Sequence, residues 1–301
     1  MNIVVTGASG FIGKELVKKL SKEYSNDNLI LLSSKDIVPY KTIIYTNYEI
    51  ASDSFLNQGI TDVDVLIMLG AFTPKSNSDA DNISKSISNI NSTFNLIENI
   101  PKPKKIIYIS TIDVYNFSGD ILSEETSTIP QTLYGFSKLM SEKIVSKFSI
   151  ENNIVFQILR LGHIYGKGEE QYQKLIPNTI RNVLNGNNIK IYNQGNALVS
   201  FIHVKDCVKC IFQSINLDAH VGPINIVSSQ FHTVKEVVEK IINLYPLNKN
   251  VDLEYINSDS KLRNYVFDNS KMINFLSSES TNFDDGLRDE ILFMRALNYN
   301  V

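Results

Sequence analysis

Two residues four positions apart, Tyr134 and Lys138, could carry out proton chemistry on an oxygen atom. If residues 134–148 form a helix, positions i and i+4 lie on the same face, so we expect the Lys138 ammonium close to the Tyr134 phenol. A free phenol titrates at about pH 10, and a neighbouring cation stabilises the phenolate and lowers that pKa. Tyr134 would then serve as a general acid or base at neutral pH.

A third residue, Thr111, completes this predicted site. It follows the apolar run 106–109, which is typical of a buried strand, so Thr111 is expected at a strand end. Its hydroxyl could hold the substrate oxygen on which Tyr134 acts. The three side chains together predict the oxidation of an alcohol or the reduction of a carbonyl.

The first twenty residues predict the element that would bind a cofactor for such chemistry. An apolar run at 2–6 is followed by a glycine-rich turn and then by the helical pattern of 14–20. Glycine allows the backbone to turn tightly and approach a pyrophosphate, whose charge is favoured by the free amides at a helix start. A glycine loop between a strand and a helix therefore predicts a dinucleotide site. The predicted contacts are Gly7, Ser9, Gly10, Phe11, Ile12 and Gly13.

The end of the next strand indicates which dinucleotide is bound. Residues 28–32 form an apolar run, which Ser33, Ser34 and Lys35 follow. An acidic residue here would bind the ribose hydroxyls of NAD, whereas a basic residue accommodates the additional phosphate of NADP. The two hydroxyls and the lysine favour NADP. NAD is the alternative if Lys35 is an ordinary solvated lysine.

Continued alternation of strands and helices predicts the fold class. Short strands at 43–45 and 63–69 are followed by a helix at 82–99, whose apolar positions recur on one face. This order predicts an α/β protein with a doubly wound parallel sheet, in which ligands bind at the carboxyl ends of the strands. Small residues after the 63–69 strand permit close approach of the cofactor. The contacts predicted there are Leu69, Gly70 and Ala71.

Composition and charge exclude several classes of function. The chain has 301 residues, 43% hydrophobic and 20% charged, which is typical of a globular protein with a large core. Its net charge of -3 and its scattered Lys and Arg provide no basic surface for nucleic acid. No apolar run approaches about 18 residues and the chain begins with a predicted strand, so we expect no membrane span and no signal peptide. The predicted location is the cytoplasm.

The two cysteines, Cys207 and Cys210, have a spacing that also occurs in redox and metal sites. Two thiols without a second Cys or His pair cannot complete a zinc site. The segment 206–215 is predicted to be an amphipathic helix with both thiols near its buried side. We therefore predict that both cysteines are core residues and that the chain has no metal site.

Three motifs together resemble a known family. They are residues 6–13 (TGASGFIG), residues 110–115 (STIDVY) and the pair formed by Tyr134 and Lys138. In this order and spacing they resemble the extended short-chain dehydrogenase/reductases, in particular the nucleotide-sugar epimerases, dehydratases and 4-ketoreductases. The resemblance covers nearly the whole chain.

The resemblance implies a domain organisation and an assembly. A Rossmann-fold dinucleotide-binding domain is expected over residues 1–165 and a smaller C-terminal substrate-binding lobe over 166–301. Residues 200–228 are expected to return to the Rossmann domain. Relatives often form homodimers through the two helices represented here by 82–99 and 134–149.

The resemblance also implies a site for a nucleoside-diphosphate sugar. His163 lies where many members have a substrate-binding Asn, and Arg263 matches an arginine that binds the diphosphate, a role suited to a guanidinium. Val199 occupies the position at which relatives commonly have a second such arginine. The residues implied to bind substrate are Thr73, Thr111, Ile112, Asp113, His163 and Arg263. Those implied to contact the cofactor are Tyr134, Leu161 and Lys138, of which Lys138 would hold the nicotinamide ribose.

The resemblance leaves two principal reactions open. Dehydratases follow the threonine with an Asp-Glu pair, whereas Thr111 is followed by Ile112 and Asp113, which argues against dehydration. Lys35 favours NADPH-dependent reduction of a 4-keto (6-deoxy) sugar nucleotide, because epimerases of this type usually present an acid to the NAD ribose. An NAD-dependent C4 epimerase is the alternative. Less favoured are a non-catalytic NADP-binding sensor and, because of Val199, a reductase of a carbonyl compound without a nucleotide.

Overall fold

A computed structural model describes residues 1–45, 50–51, 53–117, 121–244, 251–257, 264–276 and 281–298. The strands in this part of the chain are β1 Ile3–Thr6, β2 Leu29–Ser33, β3 Lys41–Ile44, β4 Val63–Met68, β5 Pro103–Thr111, β6 Val155–Leu161, β7 His163–Tyr165, β8 Ile189–Tyr192, β9 Leu198–His203, β10 Ile224–Ile226, β11 Phe231–Thr233 and β12 Leu253–Ile256. The α-helices are α1 Phe11–Glu23, α2 Ile83–Asn99, α3 Leu133–Glu151, α4 Leu175–Asn185, α5 Val204–Ser214, α6 Val234–Leu244, α7 Ser270–Leu276 and α8 Phe283–Asn298.

Seven strands form one parallel sheet in the order β10-β6-β5-β4-β1-β2-β3. Helices cover both faces of this sheet, with α1 and α5 in one hydrophobic cluster and α2 and α3 bordering the other. Strands covered on both faces read as continuous apolar runs, and all residues of β1 and β2 are buried. The predicted doubly wound parallel sheet is therefore confirmed.

The second half of the chain forms a cluster of its own. Helices α4, α6 and α8 pack together with β8 around Ile180, Val237, Ile241 and Leu287. Strand β9 pairs with β7 and β11 in a separate three-stranded sheet, whereas β10 joins the edge of the seven-stranded sheet. The segment 200–228 thus contributes to both parts of the molecule. The division at residues 165 and 166 stays a prediction.

Helices α2 and α3 contact each other through polar side chains. Asn89 Nδ2 donates to Ser137 Oγ at 3.2 Å, and Thr93 Oγ1 donates to Ser141 Oγ at 3.1 Å, all within the protein interior. The apolar face predicted for α2 points largely outward, since Phe94 is 48% exposed. The helix is confirmed, but its buried face combines the polar Ser86, Asn89 and Thr93 with the apolar Leu96 and Ile97.

The two cysteines lie in the core between α5 and the sheet, as predicted. Cys207 and Cys210 are both fully buried and both are free thiols. Burial raises the pKa of the Cys207 thiol well above its ordinary value, which makes it unreactive. Within the described ranges no group of three or more His, Cys, Asp or Glu side chains is placed to hold a metal ion. No helix described here has the length and apolar character needed to cross a membrane.

Candidate active site

The turn between β1 and α1 is packed so tightly that only glycine fits it. Gly7 has φ +67, and a Cβ atom there would lie 2.7 Å from Gly70 Cα. A Cβ atom at Gly13 would lie 2.1 Å from the Gly7 carbonyl oxygen. The end of β4 is fixed against the same turn, because the Gly70 amide donates to Thr6 Oγ1 at 2.7 Å. The predicted glycine loop therefore has bare backbone at Gly7 and Gly13, where no side chain could be accommodated.

The backbone amides in the first turn of α1 lie next to this loop and are not capped by a side chain. Gly10 is the N-cap residue, and no side chain caps this helix start. The amides of Phe11, Ile12 and Gly13 thus lie at a helix N-terminus that favours an anion. A dinucleotide pyrophosphate fits both the lack of side chains and the sign of the charge.

The predicted ribose-binding residues meet beside this loop. Ser33 Oγ donates to Ser9 Oγ at 3.1 Å, and the Lys35 amide donates to Ser33 Oγ at 3.2 Å. Ser33 is buried, whereas Ser34 and Lys35 are exposed. The exposed lysine stands at the carboxyl edge of β2, where it can reach a ligand. A phosphate contact by Lys35 stays a prediction.

A cavity follows the carboxyl ends of β1, β2 and β4. Lys138, Tyr45 and Ile50 line it, and residues of helix α2 form part of its wall. Two asparagines of α2 shape this wall. Neither was predicted from the sequence, because α2 contains many polar residues and nothing in their spacing singles out these two. Other lining residues are Thr6, Leu32, Met68, Gly70, Ala71, Asn89, Thr93, Asn95 and Tyr108.

The two asparagines hold the loops that border the cavity. Asn89 Oδ1 accepts from the Phe72 amide at 2.7 Å, and its Nδ2 donates to the Phe72 carbonyl at 3.2 Å. Asn95 makes the same pair of bonds with Ile50, at 2.7 Å and 3.3 Å. Each side-chain amide thus pairs with both the N–H and the C=O of one loop residue, as a neighbouring backbone segment would, and holds that loop in place.

The three predicted catalytic residues converge at the carboxyl end of β5. Thr111 is the last residue of β5, and its Oγ1 accepts from the Asp113 amide at 3.2 Å. Helix α3 begins beside it with Thr132, whose hydroxyl accepts from the Gly135 amide at 3.1 Å. This cap places Tyr134 in the first helical turn, facing the end of the strand.

The phenol of Tyr134 lies among hydroxyl groups and apolar atoms. Its side chain is 7% exposed, and its ring packs edge-on against Phe72 with centroids 6.3 Å apart. Burial raises the pKa of Tyr134 well above its ordinary value and the Asp113 carboxylate raises it further, while hydrogen bonds with Thr111 and Thr73 oppose these effects. Tyr134 therefore retains its proton at neutral pH.

Lys138 is buried beside this phenol but does not tune it as predicted. Its ammonium lies over the Tyr108 ring, 4.3 Å from the centroid. Burial lowers the pKa of Lys138 to about 7, and the Glu142 charge partly opposes that change. Lys138 thus loses its proton far below the pH at which Tyr134 ionises, so no cation is present to stabilise the phenolate. The expected lowering of the Tyr134 pKa is wrong.

The residues implied to bind substrate are placed differently from one another. Asp113 is half-buried next to Thr111, and Thr73 is exposed and hydrogen-bonds Tyr134. Ile112 is 2% exposed and packs within a hydrophobic cluster. Its substrate contact stays a prediction. Leu161 is likewise 7% exposed, at the carboxyl end of β6.

His163 stands among aromatic rings. Its ring centroid is 4.7 Å from that of Tyr265 and 5.7 Å from that of Phe201. Burial lowers the pKa of His163 to about 4, so the imidazole is neutral. Val199 is buried in β9. Arg263, the predicted diphosphate ligand, lies outside the described residues.

The sequence and fold of this chain are similar to those of known proteins. The model of the NAD dependent epimerase/dehydratase family matches residues 3–226. The chain is 24% identical over 311 residues to the trifunctional UDP-glucose 4,6-dehydratase/UDP-4-keto-6-deoxy-D-glucose 3,5-epimerase/UDP-4-keto-L-rhamnose-reductase of Arabidopsis thaliana. That alignment covers 95% of this chain but 46% of the relative, so the chain spans about half of that protein's length.

Two further relatives align over most of their length. The dTDP-4-dehydro-6-deoxyglucose reductase of Escherichia coli is 26% identical over 266 residues, which cover 82% of both chains. A solved structure of MoeE5 in complex with UDP-glucose and NAD superposes with a TM-score of 0.85 at 23% identity, and covers 99% of this chain and 100% of that one. The latter likeness concerns the fold.

The burial of Lys138 predicts a stability cost that depends on pH. The pKa of Lys138 is about 7 in the folded chain and has the higher, ordinary value for lysine in the unfolded chain. Between these two pH values the unfolded chain binds a proton that the folded chain lacks. Stability should therefore rise with pH above 7. Lys138→Met should increase the free energy of unfolding by roughly 2–4 kcal/mol at pH 6.5, with the gain shrinking toward pH 10.

Urea unfolding at a series of pH values measures this gain. Lys143→Met, at an exposed position of the same helix, is the matched control and should show no comparable pH dependence. A Lys138→Met variant that is less stable than the wild type at pH 6.5 would contradict the prediction.

Proposed function

The chain belongs to the NAD dependent epimerase/dehydratase family, and on that premise we propose that it reduces the 4-keto group of a nucleotide-activated (6-deoxy) sugar by hydride transfer. The observation that carries this proposal is the buried phenol of Tyr134 hydrogen-bonded to Thr111 at the carboxyl end of β5. A ketone that accepts hydride needs a proton at its oxygen, and a phenol with a raised pKa holds that proton at neutral pH.

The protonation of Tyr134 also matters for C4 epimerisation, the alternative reaction. A C4 epimerase must first remove a proton from a sugar hydroxyl, which requires a phenolate. Burial disfavours the phenolate here, and the nearby Asp113 charge disfavours it further. Reduction is therefore favoured over epimerisation. The epimerase remains the second candidate, because the family is named for epimerases as well as dehydratases.

The position of each residue in the site assigns it a role in the proposed reaction. The loop of Gly7, Gly10 and Gly13 and the start of α1 would hold the pyrophosphate of the dinucleotide, and Lys138 would hold its nicotinamide ribose. The bound nicotinamide supplies hydride. Thr111 orients the substrate oxygen, and Tyr134 protonates it. Burial of both side chains excludes water from the proton-transfer step.

We propose a nucleoside-diphosphate sugar as the substrate. The E. coli relative is named for a dTDP-linked 4-keto sugar, and the MoeE5 structure contains UDP-glucose. In this chain the neutral His163, set among the rings of Phe201 and Tyr265, offers a polar atom inside an aromatic surface. Arg263 is proposed to bind the diphosphate. A non-nucleotide carbonyl substrate and a non-catalytic NADP sensor are the less favoured alternatives.

Replacement of Tyr134 by Phe tests the proton donor. Because only the phenol oxygen is lost, Tyr134→Phe should lower turnover by about 100-fold or more while leaving dinucleotide affinity unchanged. The assay follows NADPH absorbance with dTDP-4-keto-6-deoxyglucose. Tyr192→Phe, which changes a tyrosine that is 57% exposed, is the control. Full turnover by Tyr134→Phe would contradict the proposed mechanism.

We further propose NADP as the cofactor, with NAD as the alternative. Ser33, Ser34 and the exposed Lys35 support a contact with the additional phosphate of NADP. In fluorescence titrations Lys35→Ala should weaken NADPH binding by about tenfold and leave NADH binding unchanged, whereas Lys41→Ala should change neither. NAD retained through purification, or equal affinities in all variants, would make the epimerase the leading candidate.

We also propose that the chain forms a homodimer through α2 and α3. Large apolar side chains on both helices are exposed by about half, among them Ile87, Phe94, Phe136 and Met140. Four polar residues, Asn89, Thr93, Ser137 and Ser141, join the two helices inside the chain, and the exposed apolar side chains are left for a second copy.

Sedimentation velocity tests this assembly. The wild-type chain should sediment as a dimer, and Phe94→Glu combined with Met140→Glu should sediment as a folded monomer, since two carboxylates would be buried in the interface. Leu56→Glu, at an exposed residue away from these helices, should remain dimeric. A wild-type monomer at micromolar concentration would refute the proposal.

A further inference from the structure

The start of helix α3 is held by a segment that precedes helix α2. The Leu133 amide donates to Asp81 Oδ1 at 3.0 Å, and the Tyr134 amide donates to the Ala80 carbonyl at 2.9 Å. The first amides of a helix have no partner within that helix. Residues 80 and 81 thus supply partners to the turn that carries the proposed proton donor.

The next two amides of this turn are bonded to the residue that caps α3. Gly135 donates to the Thr132 hydroxyl at 3.1 Å, and Phe136 donates to the Thr132 carbonyl at 3.0 Å. The first four amides of α3 are therefore all hydrogen-bonded. The start of α1, in contrast, has no side-chain cap. The start of α1 is suited to bind an anion, whereas the start of α3 is suited to hold a side chain in place.

The same turn of α3 also packs against the chain that follows Thr111. A Cβ atom at Gly135 would lie 2.3 Å from the Asp113 carbonyl oxygen, so the two backbones are in direct contact. Backbone packing thus fixes the turn against the end of β5, and hydrogen bonds fix it to residues 80 and 81.

The segment between β4 and α2 contacts the side chain of Tyr134 as well as its main chain. The Phe72 ring lies edge-on to the Tyr134 ring, with centroids 6.3 Å apart. Thr73 hydrogen-bonds the phenol. One continuous segment therefore borders the proposed proton donor at its ring and at its backbone.

We propose that Asp81 is a positioning residue of the active site: its carboxylate fixes the first turn of α3 and thereby sets where the Tyr134 phenol lies relative to Thr111. The proposal rests on the function proposed above, in which Tyr134 protonates the oxygen that Thr111 orients. Asp81 acts through the Leu133 amide and not on the substrate. Since a proton donor must lie within hydrogen-bond reach of its acceptor, a small displacement of this turn slows the reaction.

Three variants separate this role from a general loss of stability. Asp81→Ala removes the bond to the Leu133 amide, whereas Asp81→Asn keeps an oxygen that can accept it. Asn82→Ala is the matched control, because Asn82 Oδ1 accepts from the Lys85 amide at 3.0 Å and caps α2. Among the described residues Asn82 has no hydrogen bond to α3.

The nuclear Overhauser effect between the rings of Tyr134 and Phe72 reports the placement of the phenol without any turnover. It is measured in deuterated protein with protonated tyrosine and phenylalanine rings, and its loss in Phe72→Leu identifies the signal. Asp81→Ala should weaken this signal, because the turn that carries Tyr134 is released. Asp81→Asn and Asn82→Ala should keep it at the wild-type intensity.

Turnover shows whether this placement matters for the reaction. In the reductase assay Asp81→Ala should lower kcat by about tenfold or more and leave KM for NADPH unchanged, because the proton donor moves while the dinucleotide loop does not. Asp81→Asn should recover most of the lost turnover, and Asn82→Ala should turn over like the wild type.

Each outcome decides the proposal. An Asp81→Ala variant with the wild-type ring signal or the wild-type kcat overturns it, and so does an equal effect of Asn82→Ala. An Asp81→Asn variant as impaired as Asp81→Ala also overturns it, since the hydrogen bond to Leu133 would then not be the cause. If the wild type does not reduce the sugar nucleotide, the proposed function fails, and the ring signal alone then decides whether Asp81 places Tyr134.

Discussion

The polar face of helix α3 is buried against the end of the sheet, and the rest of the proposed site depends on this contact. Tyr134, Lys138 and Glu142 succeed one another at intervals of four residues, so they form one column on the helix. All three side chains are less than 8% exposed. Burial raises the pKa of the tyrosine and lowers the pKa of the lysine, because it disfavours the charged form of each side chain. The result is a phenol that keeps its proton and a lysine that is poised to lose one.

This arrangement reverses the usual distribution of side chains on a surface helix. Both α2 and α3 direct serine, threonine and asparagine inward, where they hydrogen-bond each other and the loops around the cavity. Three apolar residues of α2, Ile83, Ile87 and Phe94, point outward instead, whereas Leu96 and Ile97 near its end are buried. Burying polar side chains between α2 and α3 stabilises the fold less than burying apolar ones would. Such a cost is typical of functional sites. An outward apolar face is in turn suited to a second subunit.

Much of the architecture could be predicted from local sequence, because short patterns determine it. The glycines of the first turn are required by contacts as close as 2.1 Å, and a strand buried on both faces must be apolar. The spacing of Tyr134 and Lys138 correctly placed both on one helical face. The protonation of Tyr134 could not be predicted in this way, because it depends on which distant residues exclude water from the phenol. The packing role of Ile112 and the loop contacts of Asn89 and Asn95 also arise from tertiary contacts alone.

The central claim is that the chain transfers hydride to a sugar carbon while Tyr134 supplies the proton. The most direct measurement uses NADPH that carries deuterium at C4 of the nicotinamide, together with dTDP-4-keto-6-deoxyglucose, and locates the label by NMR and mass spectrometry. The account predicts one deuterium at C4 of the sugar for each NADPH consumed, and about 100-fold slower labelling with Tyr134→Phe. Unlabelled product, or a change of configuration at C4 of a nucleotide sugar without consumption of NADPH, would contradict it.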